Sequence, residues 1–368
     1  MRNVAISTTF HTLVMQPTSL CNLDCSYCYL PDRKRQALMS TAVADACAVS
    51  VRRQASVHPV DVVWHGGEPT TTPFEHFRAL VESFEPLRSS SLVKHGIQSN
   101  GTLIDSRWCD LFKHYDFDVG ISVDGPPWAN RDRVNWRGTE SFTQARRGME
   151  RLQSAGIDFT VICVVTPATI GHAEELVDFF GAIGCASVGF NIEEEEGAGR
   201  PAVQESAAYE FWRAVLRHRE AGGDLRVREL DRLNDFLAAR VGAGDGPRRP
   251  FDPIPTVAYD GDTVLLSPEL LGIKDAKYAD FLAGNVLRTP LSQMIAESGR
   301  LAYVREFEEA LGKCATGCDY FAFCGGAQAG NRYFEHGSLT IAETAYCRNT
   351  RQSLVRAAAD HITERNST

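Results

Sequence analysis

Along the first half of the chain, short apolar runs alternate with longer amphipathic stretches, and Gly, Pro, Asn and Asp fall in the breaks between them. That alternation is the sequence sign of βα units and a parallel sheet. It predicts six strands: Thr12 to Met15, Asp61 to Trp64, Lys94 to Gln98, Phe117 to Val123, Asp158 to Val165 and Ser187 to Phe190. The intervening 3.6-residue patterns predict helices over Ser40 to Ala55, Pro73 to Leu87, Asp105 to Tyr115, Phe142 to Ala155 and His172 to Gly184. Several open on a Ser, Thr or Asp cap, and Gly156 and Gly184 stand where a helix stops. Six consecutive units without a Gly-rich dinucleotide turn favour a barrel over a doubly wound sheet. The fold class is therefore α/β, a partial (β/α)6 TIM-type barrel followed by a small C-terminal domain.

The texture changes between Glu193 and Pro201, acidic and then Gly-rich, which puts the end of the barrel there. Glu193 to Glu196 has two readings, a solvated acidic loop or a carboxylate facing a substrate. Helical patterns follow over Gln204 to Glu220 and Arg226 to Val241, and Gly242 to Pro255 reads as a linker or lid. Asp260-Gly261 between Val257-Ala258 and Thr263 to Leu266 signals a hairpin. The predicted division is a barrel over 1–200, a helical region over 201–256 and a C-terminal domain over 257–368.

Charge and targeting signals narrow the function. A net charge of −9 argues against nucleic acid as a partner, and Arg131 to Arg137 reads as scattered surface arginines. Met1 to Phe10 lacks the apolar core of a signal peptide, and no apolar run reaches the roughly 18 residues of a membrane span. A cytoplasmic protein without a membrane partner is expected. In that compartment, eleven cysteines are metal ligands or buried thiols rather than cystines.

In parallel α/β folds the chemistry gathers at the carboxyl ends of the strands. Cys21-x3-Cys25-x2-Cys28 follows the first strand, Trp64-His65-Gly66-Gly67-Glu68-Pro69 the second, and Ser99-Asn100-Gly101 the third. Ser122-Val123-Asp124-Gly125-Pro126 belongs to the fourth, and the sixth ends in Asn191. Three thiolates on one loop can hold three irons of a [4Fe-4S] cube and leave the fourth open to an amine and carboxylate ligand. A zinc site or buried thiols is the other reading. Gly66 and Gly67 let the backbone approach a ligand, and Glu68 can accept from an ammonium group. Ser122 and Asp124 stand where ribose hydroxyls can be held. Arg133 faces a ligand carboxylate or solvent, and His65 lines the pocket or is satisfied elsewhere.

The tail carries Cys314-x3-Cys318-x5-Cys324 and Cys347. Four thiols ligate one [4Fe-4S] cluster completely, or one zinc ion. Cys47, Cys109, Cys163 and Cys185 fall within or at the ends of apolar elements and read as structural.

Over about Thr12 to Asn191 these motifs resemble the radical S-adenosylmethionine (SAM) superfamily. Cys21, Cys25 and Cys28 match its cluster loop, Gly66, Gly67, Glu68 and Pro69 its SAM amino-group motif, and Ser122 with Asp124 its ribose region. Tyr27 stands at its adenine-contact position; Ser99, Asn100 and Arg133 complete the cofactor-binding set that the resemblance implies. The C-terminal third resembles a SPASM-type auxiliary cluster extension. Gln16-Pro17-Thr18, the Trp64 to Pro69 segment, Ser267 to Gly272, Cys324-Gly325-Gly326 and Glu343 to Arg348 look like the GrrM/OscB group, maturases that install crosslinks, including cyclophanes, in ribosomally made peptides.

A full SPASM extension carries seven cysteines for two auxiliary clusters, whereas this chain has Ser267 where an upstream ligand would stand. One auxiliary cluster held by Cys314, Cys318, Cys324 and Cys347 is implied, with an electron-transfer role. The resemblance implies SAM, two [4Fe-4S] clusters, hydrogen abstraction by a 5'-deoxyadenosyl radical, and a donor such as flavodoxin or ferredoxin. Beside a peptide substrate stand a small natural product such as a nucleoside or sugar, with sulfur insertion, and a non-catalytic iron-sulfur or zinc protein. The short stretch before Thr12 leaves no room for a separate leader-binding domain, though a leader can add as a strand to an exposed sheet edge.

Overall fold

The apolar runs form six parallel strands that pair in chain order: β1 (Thr12–Met15), β2 (Val60–Trp64), β3 (Val93–Ser99), β4 (Phe117–Ser122), β5 (Phe159–Val165) and β6 (Ser187–Ile192). The structure, a computed structural model, describes residues 5–196, 199–242 and 250–367. Helices α1 (Thr41–Gln54), α2 (Phe74–Glu82), α3 (Glu85–Arg88), α4 (Ser106–His114), α5 (Phe142–Ser154) and α6 (Ala173–Ala182) connect the strands. β6 and β1 do not meet, so the barrel is partial. Alternation along each strand separates its two faces. In β5, Phe159, Val161, Cys163 and Val165 are buried, while Ile162 and Val164 line the concave cavity.

The helix expected over Pro73 to Leu87 is two helices, α2 and α3. Pro86 is the cause: in one continuous helix it would have no N–H to donate, and its ring would press on the Glu82 carbonyl.

Aromatic rings pack under β2 and β3. Trp64 meets Phe77 and Phe84 edge-on at centroid distances of 5.2 and 6.1 Å, and Phe77 meets Trp108 at 5.1 Å. His95 lies among them, accepting from Trp64 Nε1 at 3.2 Å through Nδ1 and stacking on Phe117. Burial depresses its pKa to about 4, so it stays neutral in the folded protein.

Beyond β6 come α7 (Glu205–Glu220) and α8 (Arg228–Gly242). The predicted hairpin forms and extends the barrel sheet. β7 (Thr256–Val257) runs parallel to β1, β8 (Asp262–Val264) returns antiparallel to it, and β9 (Gly284–Asn285) closes that end. The turn needs Gly261, whose φ is +91°. β7 attaches because β1 offers a free edge: the Val14 and Gln16 N–H groups donate to the Pro255 and Val257 carbonyls, each at 2.9 Å.

At the opposite end the outer edge of β6 is also engaged, Val188 N–H with the Arg226 carbonyl at 2.9 Å and Phe190 N–H with Glu229 Oε2 at 3.1 Å. Of the segment read as a linker or lid, residues 243–249 lie outside the described residues; Phe251 bridges to Ile6.

The rest of the chain forms α9 (Leu291–Ala296), α10 (Ala302–Gly317), α11 (Phe321–Cys324) and α12 (Ala329–His336). A π-helical turn over Cys347–Gln352 then leads into α13 (Ser353–Asn366). α13 lies against α7, joined by Arg213 with Glu364 at 2.8 Å and Tyr209 with Asp360 at 2.6 Å. Among the described residues no helix is long and apolar enough to cross a membrane.

His95 ties stability to pH. Its folded pKa lies below the unfolded value near 6.5, so between about 6.5 and 4 the unfolded chain binds the extra proton and stability falls as the pH falls. The full effect at pH 4 is about 3 kcal/mol. Thermal melts of His95→Gln between pH 7 and 5 should show a shallower acid loss than the parent; an equal slope would remove His95 as its source.

A candidate active site at the carboxyl ends of the strands

The loop after β1 is held from two sides. Cys21 N–H donates to the Arg33 carbonyl at 2.8 Å, Asp24 N–H to Val134 at 2.7 Å and Ser26 N–H to Asp132 at 3.1 Å. Trp136 Nε1 donates to the Cys21 carbonyl at 2.8 Å, and the Lys34 ammonium sits 4.3 Å over the Trp136 ring. The Arg131 to Arg137 segment, expected as plain surface, therefore clamps the cysteine loop. Cys21, Cys25 and Cys28 line a cavity of about 580 Å³. Burial, reinforced by the Glu68 carboxylate, pushes the Cys21 thiol up to about 12, and Cys25 and Cys28 add to that field. Burial also raises Cys25, against the pull of Arg133 and Arg33.

Glu68 is 1 % exposed and has no cationic partner among its hydrogen bonds. Its Oε1 accepts from Thr70 N–H at 3.0 Å, Thr70 Oγ1 at 2.5 Å and Ser99 Oγ at 2.8 Å; its Oε2 accepts from Asn100 N–H at 2.7 Å. Three of the four donors converge on Oε1, which leaves Oε2 with an acceptor position to spare. Asn100 Nδ2 reaches on to Asn22 Oδ1 in the cysteine loop at 2.8 Å. Gly67 is required here: its φ is +61°, and a Cβ would stand 2.6 Å from the Thr18 carbonyl and 2.7 Å from that of Leu20.

Tyr27, Asp124 and Arg133 form a second buried set. Tyr27 Oη donates to Asp124 Oδ2 at 2.7 Å and accepts from Arg133 Nη1 at 2.6 Å. Asp124 Oδ1 accepts from Val164 N–H at 3.0 Å. Burial raises the Asp124 pKa, opposed by Arg133 and by the Tyr27 hydrogen bond. Tyr27, Arg133, Gly67, Glu68, Ser99, Asn100 and Ser122 all line the cavity, whereas Asp124 and Gly66 do not. Asp124 lies behind the wall, with its oxygens engaged by the protein. Arg133 is buried rather than a surface arginine. His65 lines the cavity with Nε2 3.3 Å from Tyr29 Oη, and burial lowers its pKa to about 4.

Sequence reasoning left much of the far wall unassigned. Gln98, bonded to Ser122 Oγ at 2.8 Å, had no distinguishing signal in a strand that also carries Lys94, His95 and Ser99. Of the acidic run, Glu193, Glu194 and Glu196 line the cavity, and Glu195 is exposed. Glu193 pairs with Arg200 at 2.6 Å. Burial, with Glu196, Glu269 and Glu335 nearby, holds Glu194 well above the usual carboxylate range. Burial and Glu269 push Glu196 up to about 8. The lining also carries Arg228 and Arg232 on α8 and Arg351 on the π-helical turn, with Arg228 paired to Glu229. No local pattern predicts that these residues meet.

Cys314, Cys318 and Cys324 lie close enough for their charges to interact, and Cys324 likewise acts on Cys347. Among the described residues no group of three or more His, Cys, Asp and Glu side chains is arranged to hold a metal ion. A cube takes each thiolate at a different iron, so it needs neighbouring thiols that do not converge on one point. The donor sets fit such a group: three thiols beside an open cavity, and four neighbouring thiols of which Cys314 has its Sγ 3.6 Å from the buried Arg332 Nη2.

Glu68→Gln puts an NH2 where an oxygen now receives donors. The expected loss is about 1.5–3 kcal/mol of stability, read as a lower melting temperature. An unchanged melt would mean that the Glu68 charge does not hold the strand ends.

Comparison with known proteins places this arrangement. The Radical SAM superfamily model matches residues 15–180. An uncharacterized protein of Synechocystis sp. (strain ATCC 27184 / PCC 6803 / Kazusa) is 33% identical over 351 residues, 91% of this chain and 88% of that protein. The cysteine-type anaerobic sulfatase-maturating enzyme of Clostridium perfringens (strain ATCC 13124) is 32% identical over 178 residues, 46% of this chain and 48% of that enzyme. The match thus spans about half of each chain. In fold it is similar to native anSMEcpe with bound AdoMet and Cp18Cys peptide, with a TM-score of 0.75, 22% identity and coverage of 96% of this chain and 98% of that one. It is also similar to Streptococcus suis SuiB bound to precursor peptide SuiA, with a TM-score of 0.56, 18% identity and coverage of 79% and 65%. With the family model on the strands that carry the cysteine loop and a relative aligned over nearly the whole length, the chain belongs to the radical SAM superfamily of enzymes, which use SAM and a [4Fe-4S] cluster.

Proposed function

We propose that this radical SAM enzyme acts on a ribosomally made peptide and installs a crosslink in it. The observation that carries the reading is the place of the cavity between the two cysteine groups. Cys21, Cys25 and Cys28 line one side, and on the other Tyr346 adjoins Cys347 while Arg232 Nη2 donates to the Cys324 carbonyl at 3.1 Å. The peptides bound to anSMEcpe and SuiB, which share this fold, support a peptide substrate.

In this reading Cys21, Cys25 and Cys28 hold the first [4Fe-4S] cluster, and Cys314, Cys318, Cys324 and Cys347, within 257–368, hold the second. SAM beside the first cluster supplies, when bound, a 5'-deoxyadenosyl radical for hydrogen abstraction. The protein's share is position and exclusion of water. Gly67 brings backbone to the cavity, and Glu68, whose Oε2 accepts a single hydrogen bond from the protein, accepts another from a bound ammonium. Tyr27 and Arg133 present a fixed aromatic face and a cation, each locked by Asp124 behind them. Ser99, Asn100 and Ser122 offer polar groups along the strand ends. The acidic and basic residues of the lining orient a polar peptide segment. A small electron carrier such as flavodoxin or ferredoxin supplies the electrons.

Anaerobically reconstituted protein should hold about eight irons, two cubes of four. Alanine at Cys21, Cys25 and Cys28 should remove about half the iron and all SAM cleavage, and alanine at Cys314 and Cys318 the other half. Stoichiometric zinc without visible absorbance would sink the cluster assignment.

Mass spectrometry of one turnover separates crosslinking from sulfur insertion. A crosslinked peptide loses two hydrogens per bond. A product that instead gains labelled sulfur from enzyme reconstituted with labelled sulfide would overturn the maturase reading.

A further inference from the structure

Arg332 on α12 is 0 % exposed, one of the largest fully buried side chains in the protein. Its guanidinium donates through Nε to the Ile341 carbonyl at 2.6 Å and through Nη1 to Gln328 at 2.8 Å. Through Nη2 it donates to Gly326 at 2.6 Å and lies 3.6 Å from Cys314 Sγ. The Phe307 ring lies 5.0 Å from its central carbon. Among these partners there is no carboxylate. A fully buried cation without an anion is costly, because carbonyl dipoles replace only part of its lost hydration.

The groups around it supply an anion only when the cysteines are thiolates. Its charge reaches both Cys314 and Cys347. In the thiol form Cys314 donates to the Ala342 carbonyl at 3.2 Å. A metal-bound thiolate has no proton to give, and Arg332 Nη2 is then the donor beside it. The same planar fork ties together three segments that bear candidate ligands: the end of α10 with Cys314, the loop after Cys324 through Gly326, and the approach to Cys347 through Ile341. A lysine ammonium cannot span those positions.

We propose that Arg332 is the positioning residue of the auxiliary cluster, donating to the Cys314 sulfur and serving as the cluster's buried counter-charge, so that it raises the cluster's reduction potential. The inference rests on reading Cys314, Cys318, Cys324 and Cys347 as a [4Fe-4S] site. Hydrogen bonds to cluster sulfurs and local net charge are the levers by which a protein sets such a potential.

The test uses full-length protein in which Cys21, Cys25 and Cys28 are alanine, so that only the auxiliary cluster titrates. Iron content and an EPR-monitored redox titration are compared for Arg332, Arg332→Lys and Arg332→Gln. Arg332→Gln should lower the reduced-to-oxidised ratio at a fixed solution potential at least tenfold, which for one electron is about 59 mV. Arg332→Lys, which keeps the charge, should fall between. Loss of iron in Arg332→Gln with retention in Arg332→Lys would also support the counter-charge role. Equal iron with an unchanged potential in Arg332→Gln would overturn it, as would equal iron with a potential in Arg332→Lys no higher than in Arg332→Gln, since the charge would then not set the potential. Failure of the underlying reading shows separately, as parent protein that holds about four irons and none once the first three cysteines are replaced.

Discussion

The structure around the cavity depends on burying the Glu68 carboxylate without a cation. A charge out of water must be met by hydrogen bonds, and here the donors come from Thr70 and from Ser99 and Asn100 at the end of β3. Its own N–H donates to the Leu20 carbonyl at 2.8 Å, so one residue joins the ends of β2 and β3 to the cysteine loop. Gly67 beside it lets the loop carbonyls come as close as they do. The thiols of Cys21, Cys25 and Cys28 are positioned as a consequence, on a loop fixed from behind by Glu68 and from the front by the Trp136 segment.

Asp124 has a similar role deeper in the wall. It fixes Tyr27 and, through Tyr27, Arg133, while its bond to Val164 N–H sets this group against β5. Asp124 therefore presents other groups to the cavity, whereas Glu68 lines it directly. Tyr27 and Arg133 reach it with few rotamers left to lose, which is how a rigid scaffold lowers the entropic cost of binding.

The far wall is built on the opposite principle. Glu194, Glu196 and Glu269 are brought together without a cation among the influences on them; burial raises all three pKa values, and neighbouring carboxylates raise those of Glu194 and Glu196 further. On the same cavity lining, burial together with Arg351 and Arg228 lowers the pKa of Arg232. Each set alone costs stability. Perturbed groups of this kind concentrate at functional sites, where stability is given up for a poised charge.

The six barrel strands, most of the helices and both cysteine groups were legible in the sequence because each rests on local order: a period of two or 3.6, a cap, a spacing of ligands. The break at Pro86 was equally local, in a proline that the helical pattern overran. Contacts between distant segments were another matter. Glu193 to Glu196 reads as a solvated run because charge blocks usually are, and its burial depends on Asn331, 137 residues from Glu194, and on Glu269 from the segment after β8. Asp124 reads as a ligand contact in the sequence, and its bond to Tyr27, 97 residues away, is visible only in the structure. Arg332 carried no signal at all, since an arginine on a short helix is ordinarily solvent-facing. By itself the sequence determined which residues could do chemistry and on which strand ends they stand. Only the tertiary structure decided which charges face the cavity and which are spent holding it, because burial and pairing depend on what the rest of the chain brings alongside.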